Sequence, residues 1–267
     1  MTKAEMATPR RLLFGDVADA YDRHRPTYPG ALIDDVVELA ALPGGQRALE
    51  VGAGTGKATV LFAARGVPVL ALEPSPAMAA IAGHNCARHA AVQIVESDFE
   101  RWDPAGGRFG LVYAAQAWHW VDRARRYRLA RRALDAGGLL AVFMNRPAWG
   151  RSALRDALRE VYAAVAPGLD TDNPMHPANE APAADEDWSD QIAAAPGFIE
   201  LPSRRYAWSL HYTAADYVGM LSTLSEIRLL DEARRRRLLD AVGEVIGAHD
   251  DRLAMPMVTL LYLARAV

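Results

Sequence analysis

The apolar positions between residues 47 and 144 fall into five short, nearly continuous runs. Each run has the length of a buried strand and is followed by a turn and by apolar residues at helical spacing. The pattern predicts strands over about 47–51, 67–73, 92–95, 109–114 and 137–144. Strands that alternate with helices in this way are typical of a doubly wound parallel sheet with helices on both faces.

The pattern changes on either side of this region. Before it, apolar residues at helical spacing predict two helices within residues 12–42, separated by a proline-containing connector over 25–29. After it, the pattern predicts a helix over 151–165, a loop over 166–187, a strand over 202–213, helices over 213–224 and 231–248, and a strand over 257–264. So long a loop within a compact domain is typical of a lid over a site or of a disordered segment.

The first apolar run leads into a turn with three glycines at alternate positions, Gly52, Gly54 and Gly56, preceded by Glu50. Glycine lacks a Cβ atom, so it permits positive φ angles and lets a ligand lie against the main chain. The helix that begins near Lys57 directs its free N–H groups toward the same place. The turn therefore predicts a ligand site between this strand and the helix that follows.

The spacing of the glycines separates three kinds of protein that use such a turn. A P-loop would need a glycine at Val51 and a hydroxyl side chain at Ala58, and the dinucleotide fingerprint would need a glycine at Lys57. The arrangement Glu-x-Gly-x-Gly-x-Gly instead resembles motif I of the class I methyltransferases that use S-adenosylmethionine (SAM). An NAD-dependent oxidoreductase is disfavoured by Lys57 and by the acid at Glu50.

Two further strand ends carry acids that suit the same ligand. Glu73 closes the second run, where a carboxylate can accept hydrogen bonds from both ribose hydroxyls of a nucleoside. Asp98 and Phe99 follow the third run. The resemblance implies that Asp98 bonds the adenine amino group and that Phe99 packs on the ring.

The resemblance is specific over 47–144 and looser elsewhere, and it implies SAM as cofactor with S-adenosylhomocysteine as product. It implies an α/β fold: a Rossmann-like, doubly wound, seven-stranded sheet, mostly parallel with one antiparallel strand, plus a helical cap over the site. The implied divisions are an N-terminal helical cap segment (1–45), a SAM-binding core (46–146), a helical and loop lid insertion (147–200), and C-terminal strands and helices completing the core (201–267).

The implied cofactor contacts gather at the strand ends and in the N-terminal segment, where an arginine at position 25 can pair with the methionyl carboxylate. They are Tyr21, Arg25, Glu50, Gly52, Ala53, Gly54, Glu73, Pro74, Met78, Asp98, Phe99 and Gln116.

The fourth run is followed, after three residues, by Trp118-His119-Trp120. Ligands of open α/β sheets bind beyond the carboxyl ends of the strands, so we expect His119 near the transferred methyl group as the catalytic residue. We expect the acceptor to contact Trp118, Trp120, His211 and Tyr28. The tryptophan–histidine pair resembles enzymes near the trans-aconitate methyltransferases, which esterify small carboxylates. A hydroxyl acceptor needs a base and a carboxylate acceptor needs a cation or donor; His119 can serve either role.

Composition limits the binding partners and the cellular location that we expect for the protein. The net charge of −3 and pI near 6.2 give no reason to expect a nucleic-acid partner. The single cysteine, Cys86, suits a reducing compartment, and no apolar run approaches the length of a membrane span. We expect a cytoplasmic monomer or homodimer that methylates a small-molecule acceptor, with O-methylation favoured and with no metal, membrane or nucleic-acid partner. The alternative is a protein of this fold that binds SAM without transferring a methyl group.

Overall fold

The computed structural model describes residues 18–42, 45–171, 173–179 and 188–267. The N-terminal part of the first predicted helix lies outside the described residues, as do residues 172 and 180–187 of the predicted loop. None of the described helices has both the length and the apolar character needed to cross a bilayer.

One sheet runs through the described part of the chain. Its strands are β1 Ala48–Val51, β2 Val69–Glu73, β3 Val92–Glu96, β4 Phe109–Ala115, β5 Leu134–Pro147, β6 Phe198–Tyr212 and β7 Leu253–Ala266. The spatial order is β3-β2-β1-β4-β5-β7-β6. Strands β1 to β5 pair in parallel, and β7 runs antiparallel to both of its neighbours. The predicted seven-stranded sheet with one antiparallel strand is confirmed.

Helices cover both faces of the sheet and one end. In chain order they are α1 Ala18–His24, α2 Gly30–Ala40, α3 Lys57–Ala63, α4 Pro76–Asn85, α5 Arg126–Ala133, α6 Ala153–Val165, α7 Ser189–Ala193, α8 Ala214–Ser222, α9 Ser225–Arg228 and α10 Glu232–Gly247. Helix α4 has a capped start: the Ser75 hydroxyl accepts from the main-chain N–H of Met78, and Pro76 occupies the first turn.

Each face of the sheet buries its own core, which explains why the parallel strands are apolar throughout. One core contains Leu72, Trp118 and Met144, and the other contains Phe62 and Phe143, all of them buried. These cores fix the strands whose carboxyl ends carry the candidate site.

A third core lies beyond the carboxyl edge of the parallel strands. Strand β5 stops pairing with β7 at Met257, whereas β6 and β7 stay paired as far as Tyr212 and Leu253. These projecting arms pack against α6, α8, α9 and α10, and we call this assembly the cap. The cap therefore combines helix α6 of the predicted lid insertion with three helices of the predicted C-terminal segment.

Strand β5 begins three residues before the glycine pair that was predicted to precede it. Gly137 has a φ of 75°, and the pairing of β4 with β5 shifts register between Phe109 and Leu111. The glycines thus form an irregularity inside the strand, as glycines in strands commonly do.

Candidate active site

A cavity of about 960 Å³, partly open to solvent, lies at the carboxyl ends of β1, β2 and β4. The glycine turn and the strand ends form its floor, and the N-terminal segment covers it. Of the predicted cofactor residues, eleven line it: Tyr21, Glu50, Gly52, Ala53, Gly54, Glu73, Pro74, Met78, Asp98, Phe99 and Gln116. Tyr28 and Trp120, predicted at the acceptor, also line this cavity.

The glycine turn passes close to the end of β4. Gly52 has a φ of 72°, and a Cβ atom on it would lie 2.6 Å from the Cβ of Ala117. Gly54 also has positive φ, and a Cβ there would lie 3.8 Å from the Tyr21 ring. Side chains at these two positions would be strained and would enter the cavity, so both glycines are needed for its shape.

Glu73 is held rigidly at the end of β2. Its carboxylate accepts from the main-chain N–H of Gly54 at 2.8 Å and of Ser75 at 2.9 Å. Burial raises the pKa of Glu73, and these two bonds oppose that shift. A carboxylate fixed in this way presents its remaining lone pairs to the cavity as acceptors.

Glu50 is fully buried and lines the cavity beneath the turn. Its Oε2 atom accepts from the Thr59 hydroxyl at 2.5 Å and from the Tyr113 hydroxyl at 2.8 Å. Its Oε1 atom has no hydrogen-bond partner among the described residues. Burial is the main cause that raises the pKa of Glu50 to about 7. A buried acidic oxygen without a partner suits a ligand that brings a cation or a hydrogen-bond donor.

Asp98 and Phe99 form the wall after β3. The Asp98 carboxylate accepts from the main-chain N–H of Arg101 at 3.0 Å and lies 3.1 Å from its side-chain Nε. Phe99 is buried, with its ring 6.4 Å from that of Trp118. The cavity therefore has a fixed acid beside an apolar face.

The N-terminal cover is fastened to the glycine turn through Asp22. The main-chain carbonyl of Asp22 accepts from Lys57 Nζ at 2.5 Å, and its carboxylate accepts from Asn85 Nδ2 at 3.0 Å. Sequence reasoning used Lys57 only to exclude other motifs and missed this contact. The signal that the sequence offered was the position of Lys57 directly after the glycine motif, beside the predicted ligand site.

Arg25 was predicted as a cofactor contact, but it does not line the cavity. Its Nε donates to the Thr223 hydroxyl at 2.7 Å, and one terminal nitrogen donates to the Thr223 carbonyl at 3.2 Å. These contacts turn the guanidinium toward the cap, so in this structure Arg25 joins the cover to the cap.

Two of the predicted acceptor contacts, Trp118 and His211, lie away from the cavity. Trp118 is fully buried in a sheet-face core, where its indole packs against Phe99 and Tyr127. His211 is exposed on β6, while its neighbours Leu210 and Tyr212 pack into the cap core. The alternation of side chains along a strand places His211 on the opposite face. Neither side chain faces the cavity.

His119 lies in a short 3₁₀ turn, Trp118–Trp120, between Trp118 in the core and Trp120 in the cavity wall. The His119 and Trp120 ring centroids are 4.9 Å apart. His119 does not line the cofactor cavity, and its outer edge is exposed. The pKa of His119 nevertheless lies well below 6.5. The main cause is burial of the ring by the surrounding chain, and the guanidinium groups of Arg146 and Arg126 add to it. The direction of this shift makes His119 neutral at pH 7.

The comparisons with known proteins agree with this geometry. Residues 49–142 match the family described as a methyltransferase domain. The matched domain and its relatives support a class I, SAM-dependent methyltransferase. Over 254 residues it is 28% identical to uncharacterized methyltransferases of Mycobacterium tuberculosis and Mycobacterium bovis, covering 93% of each chain.

Solved structures show the same fold at lower identity. A protein assigned as a type II methyltransferase from Anaeromyxobacter dehalogenans has a TM-score of 0.59 and 20% identity, covering 91% of this chain and 97% of that one. A SAM-dependent methyltransferase from Thiobacillus denitrificans, solved with S-adenosyl-L-homocysteine, has a TM-score of 0.55 and 13% identity, covering 94% and 97%. These likenesses establish the fold of this chain.

The cavity residues fit SAM on the evidence of their own chemistry. The partnerless Oε1 atom of Glu50 suits the amino group of the methionyl end, and the fixed carboxylate of Glu73 suits a pair of ribose hydroxyls. Gly52 lines the cavity and has no side chain, so its main chain is open to a ligand. When bound, SAM supplies a methyl group that is already activated by its sulfonium.

Proposed function

We propose that this methyltransferase transfers the methyl group of SAM to an oxygen atom of a small organic acceptor, a carboxylate or a hydroxyl. The observation that carries the proposal is the 3₁₀ turn after β4. It brings the exposed edge of His119 next to Trp120, which is part of the cofactor cavity wall. A polar, neutral side chain is thereby offered to an acceptor that approaches this end of the cavity.

The electrostatics around His119 favour a carboxylate over an aliphatic hydroxyl. A general base is most effective when its pKa lies near the working pH, and the pKa of His119 is lowered away from that range. A carboxylate is already ionised and needs no base. The guanidinium groups of Arg146 and Arg126, which lower the pKa of His119, also stabilise negative charge beside it.

The remaining contribution of the protein is alignment. Methyl transfer is an in-line displacement, and holding acceptor and donor in the reactive geometry can be worth about 7–11 kcal/mol. The Trp120 ring in the cavity wall offers an aromatic face for a cationic group, at about 0.5–2 kcal/mol. We further expect the enzyme to act in the cytoplasm as a monomer or homodimer, without a nucleic-acid partner.

The test is a screen of acceptors with SAM. Small carboxylic acids, phenols and primary amines are incubated with the purified enzyme, and S-adenosylhomocysteine and methylated products are measured by mass spectrometry. We expect methyl esters, with methyl ethers of acidic phenols as the next class. Products methylated on nitrogen alone would contradict the proposal. Tight SAM binding with no S-adenosylhomocysteine released for any class would instead favour a protein that binds SAM without transfer.

A further inference from the structure

Asn145 lies on β5 just outside the cofactor cavity, and both the nitrogen and the oxygen of its buried amide are hydrogen-bonded. Its Nδ2 donates to the main-chain carbonyl of Thr27 at 2.9 Å, and its Oδ1 accepts from the Thr259 hydroxyl at 2.7 Å. The Thr259 oxygen in turn accepts from Trp208 Nε1 at 2.9 Å. Asn145 is 8% exposed and Thr259 is fully buried.

The direction of these bonds follows from the chemistry of the groups. The indole nitrogen of Trp208 can only donate, so the Thr259 oxygen must accept from it. The hydroxyl hydrogen of Thr259 is then available for Asn145, whose oxygen accepts it. The amide NH₂ of Asn145 must therefore face the Thr27 carbonyl. A side chain at position 145 that cannot donate would leave two acceptors facing each other.

The main chain of Asn145 has a second partner. Its N–H donates to Gln116 Oε1 at 2.7 Å, and its carbonyl accepts from Gln116 Nε2 at 3.4 Å. Gln116 has a φ of 57°, which is uncommon for a residue other than glycine and is kept only when its surroundings hold it. The paired bonds to Asn145 provide that support at the cavity floor.

One residue thus joins two opposite parts of the cavity wall. Gln116 belongs to the floor at the end of β4, and Thr27 lies in the cover between Pro26 and Tyr28, which both line the cavity. We propose that Asn145 is a positioning residue: it sets the N-terminal cover against the floor and so shapes the cofactor cavity without touching the cofactor itself. The inference concerns cofactor binding and does not depend on which acceptor is methylated.

The test compares Asn145→Asp with Thr259→Val. The aspartate keeps an acceptor for Thr259 but places a second oxygen against the Thr27 carbonyl, so the cover loses its attachment. The valine removes the Thr259 hydroxyl from the same network but leaves the Asn145–Thr27 bond in place. It is therefore a matched control for the general loss of a buried hydrogen bond.

Two measurements separate the proposed role from a merely structural one. Calorimetric titration with S-adenosylhomocysteine should show affinity reduced by roughly fivefold or more in Asn145→Asp, the value of about one hydrogen bond, and nearly unchanged affinity in Thr259→Val. Hydrogen exchange of the protein without ligand should be faster over residues 26–40 in Asn145→Asp alone, with strand β2 unchanged.

Equal loss of affinity in the two variants would overturn the proposal, and so would unchanged exchange of residues 26–40 in Asn145→Asp. The exchange measurement needs no ligand. It would therefore still report on Asn145 if the wild-type protein bound no S-adenosylhomocysteine.

Discussion

The cofactor cavity and the cap are built from the chain in different ways. The cavity floor comes from consecutive elements, from Glu50 at the end of β1 to Val121 after β4. The cap draws on α6, on α8 to α10 and on the outer arms of β6 and β7, and it meets the N-terminal cover through Arg25 and Thr223, 198 residues apart. The floor is therefore a product of local turns, and the cap is a product of long-range packing.

Backbone geometry therefore positions the residues of the floor, whereas side-chain packing positions those of the cap. On the floor, Gly52, Gly54 and Glu73 are placed by positive φ angles and by main-chain hydrogen bonds. In the cap, buried Arg155 donates to the carbonyls of Pro177 and Asn179 and so holds the described part of the predicted loop against α6. We expect variants of the floor to affect cofactor binding. We expect variants of the 3₁₀ turn Trp118–Trp120 or of the cap to affect use of the acceptor.

The largest expected effect is on the floor, in Gly52→Ala. The new Cβ would lie 2.6 Å from Ala117, in addition to about 1–3 kcal/mol of backbone strain at positive φ. We expect SAM binding to fall below detection in calorimetry. Gly66→Ala is the matched control, since its φ is 78° but no atom lies within 4 Å of the added Cβ. It should lose stability and keep SAM affinity; the same loss of affinity in both would contradict the close approach at Gly52.

Glu73→Ala should produce the next largest effect. Two ribose hydroxyls bonded to a carboxylate are worth about 3–6 kcal/mol together, so SAM affinity should fall by more than about a hundredfold. Calorimetry measures this directly. Glu73→Gln retains one acceptor oxygen, so its SAM affinity should lie between those of the wild type and Glu73→Ala. Unchanged affinity in Glu73→Ala would remove Glu73 from the cofactor site.

Glu50 should make the stability of the protein without ligand depend on pH. Its pKa is raised to about 7 from 4.5, so the folded state binds the proton more tightly than the unfolded state. The free energy of unfolding should therefore fall as the pH rises from about 4.5 to about 7, by about 3 kcal/mol. Denaturant melts across this range measure the slope. Glu50→Gln should flatten it; an unchanged slope would show that another group is responsible.

The smallest expected effect tests the acceptor side. His119→Ala should lower turnover by roughly tenfold, the value of one hydrogen bond to a charged group, with SAM affinity unchanged. His211→Ala should change neither quantity, because His211 lies on the exposed face of β6. Steady-state kinetics and calorimetry on the two variants provide the comparison. Parallel losses of turnover and SAM affinity in His119→Ala would mean that His119 supports the fold of the turn.

The floor was predictable from sequence because its key residues lie at the end of a strand or in the turn directly after it. The spacing of Gly52, Gly54 and Glu73 along the chain determines their positions at one edge of a parallel sheet. The position of Trp118 was not predictable, since one residue of a short 3₁₀ turn points into the core and another toward the cavity. Arg25 and Asn145 owe their roles to Thr223 and Thr259, partners far away in the chain. No local pattern identifies such pairs.

The most direct test of the account is calorimetric titration of the wild-type protein with SAM, S-adenosylhomocysteine and NAD. The cavity chemistry at Glu50, Gly52 and Glu73 predicts micromolar binding of SAM and S-adenosylhomocysteine and no binding of NAD. Binding of NAD without SAM would contradict the role assigned to the glycine turn and every cofactor contact that follows from it.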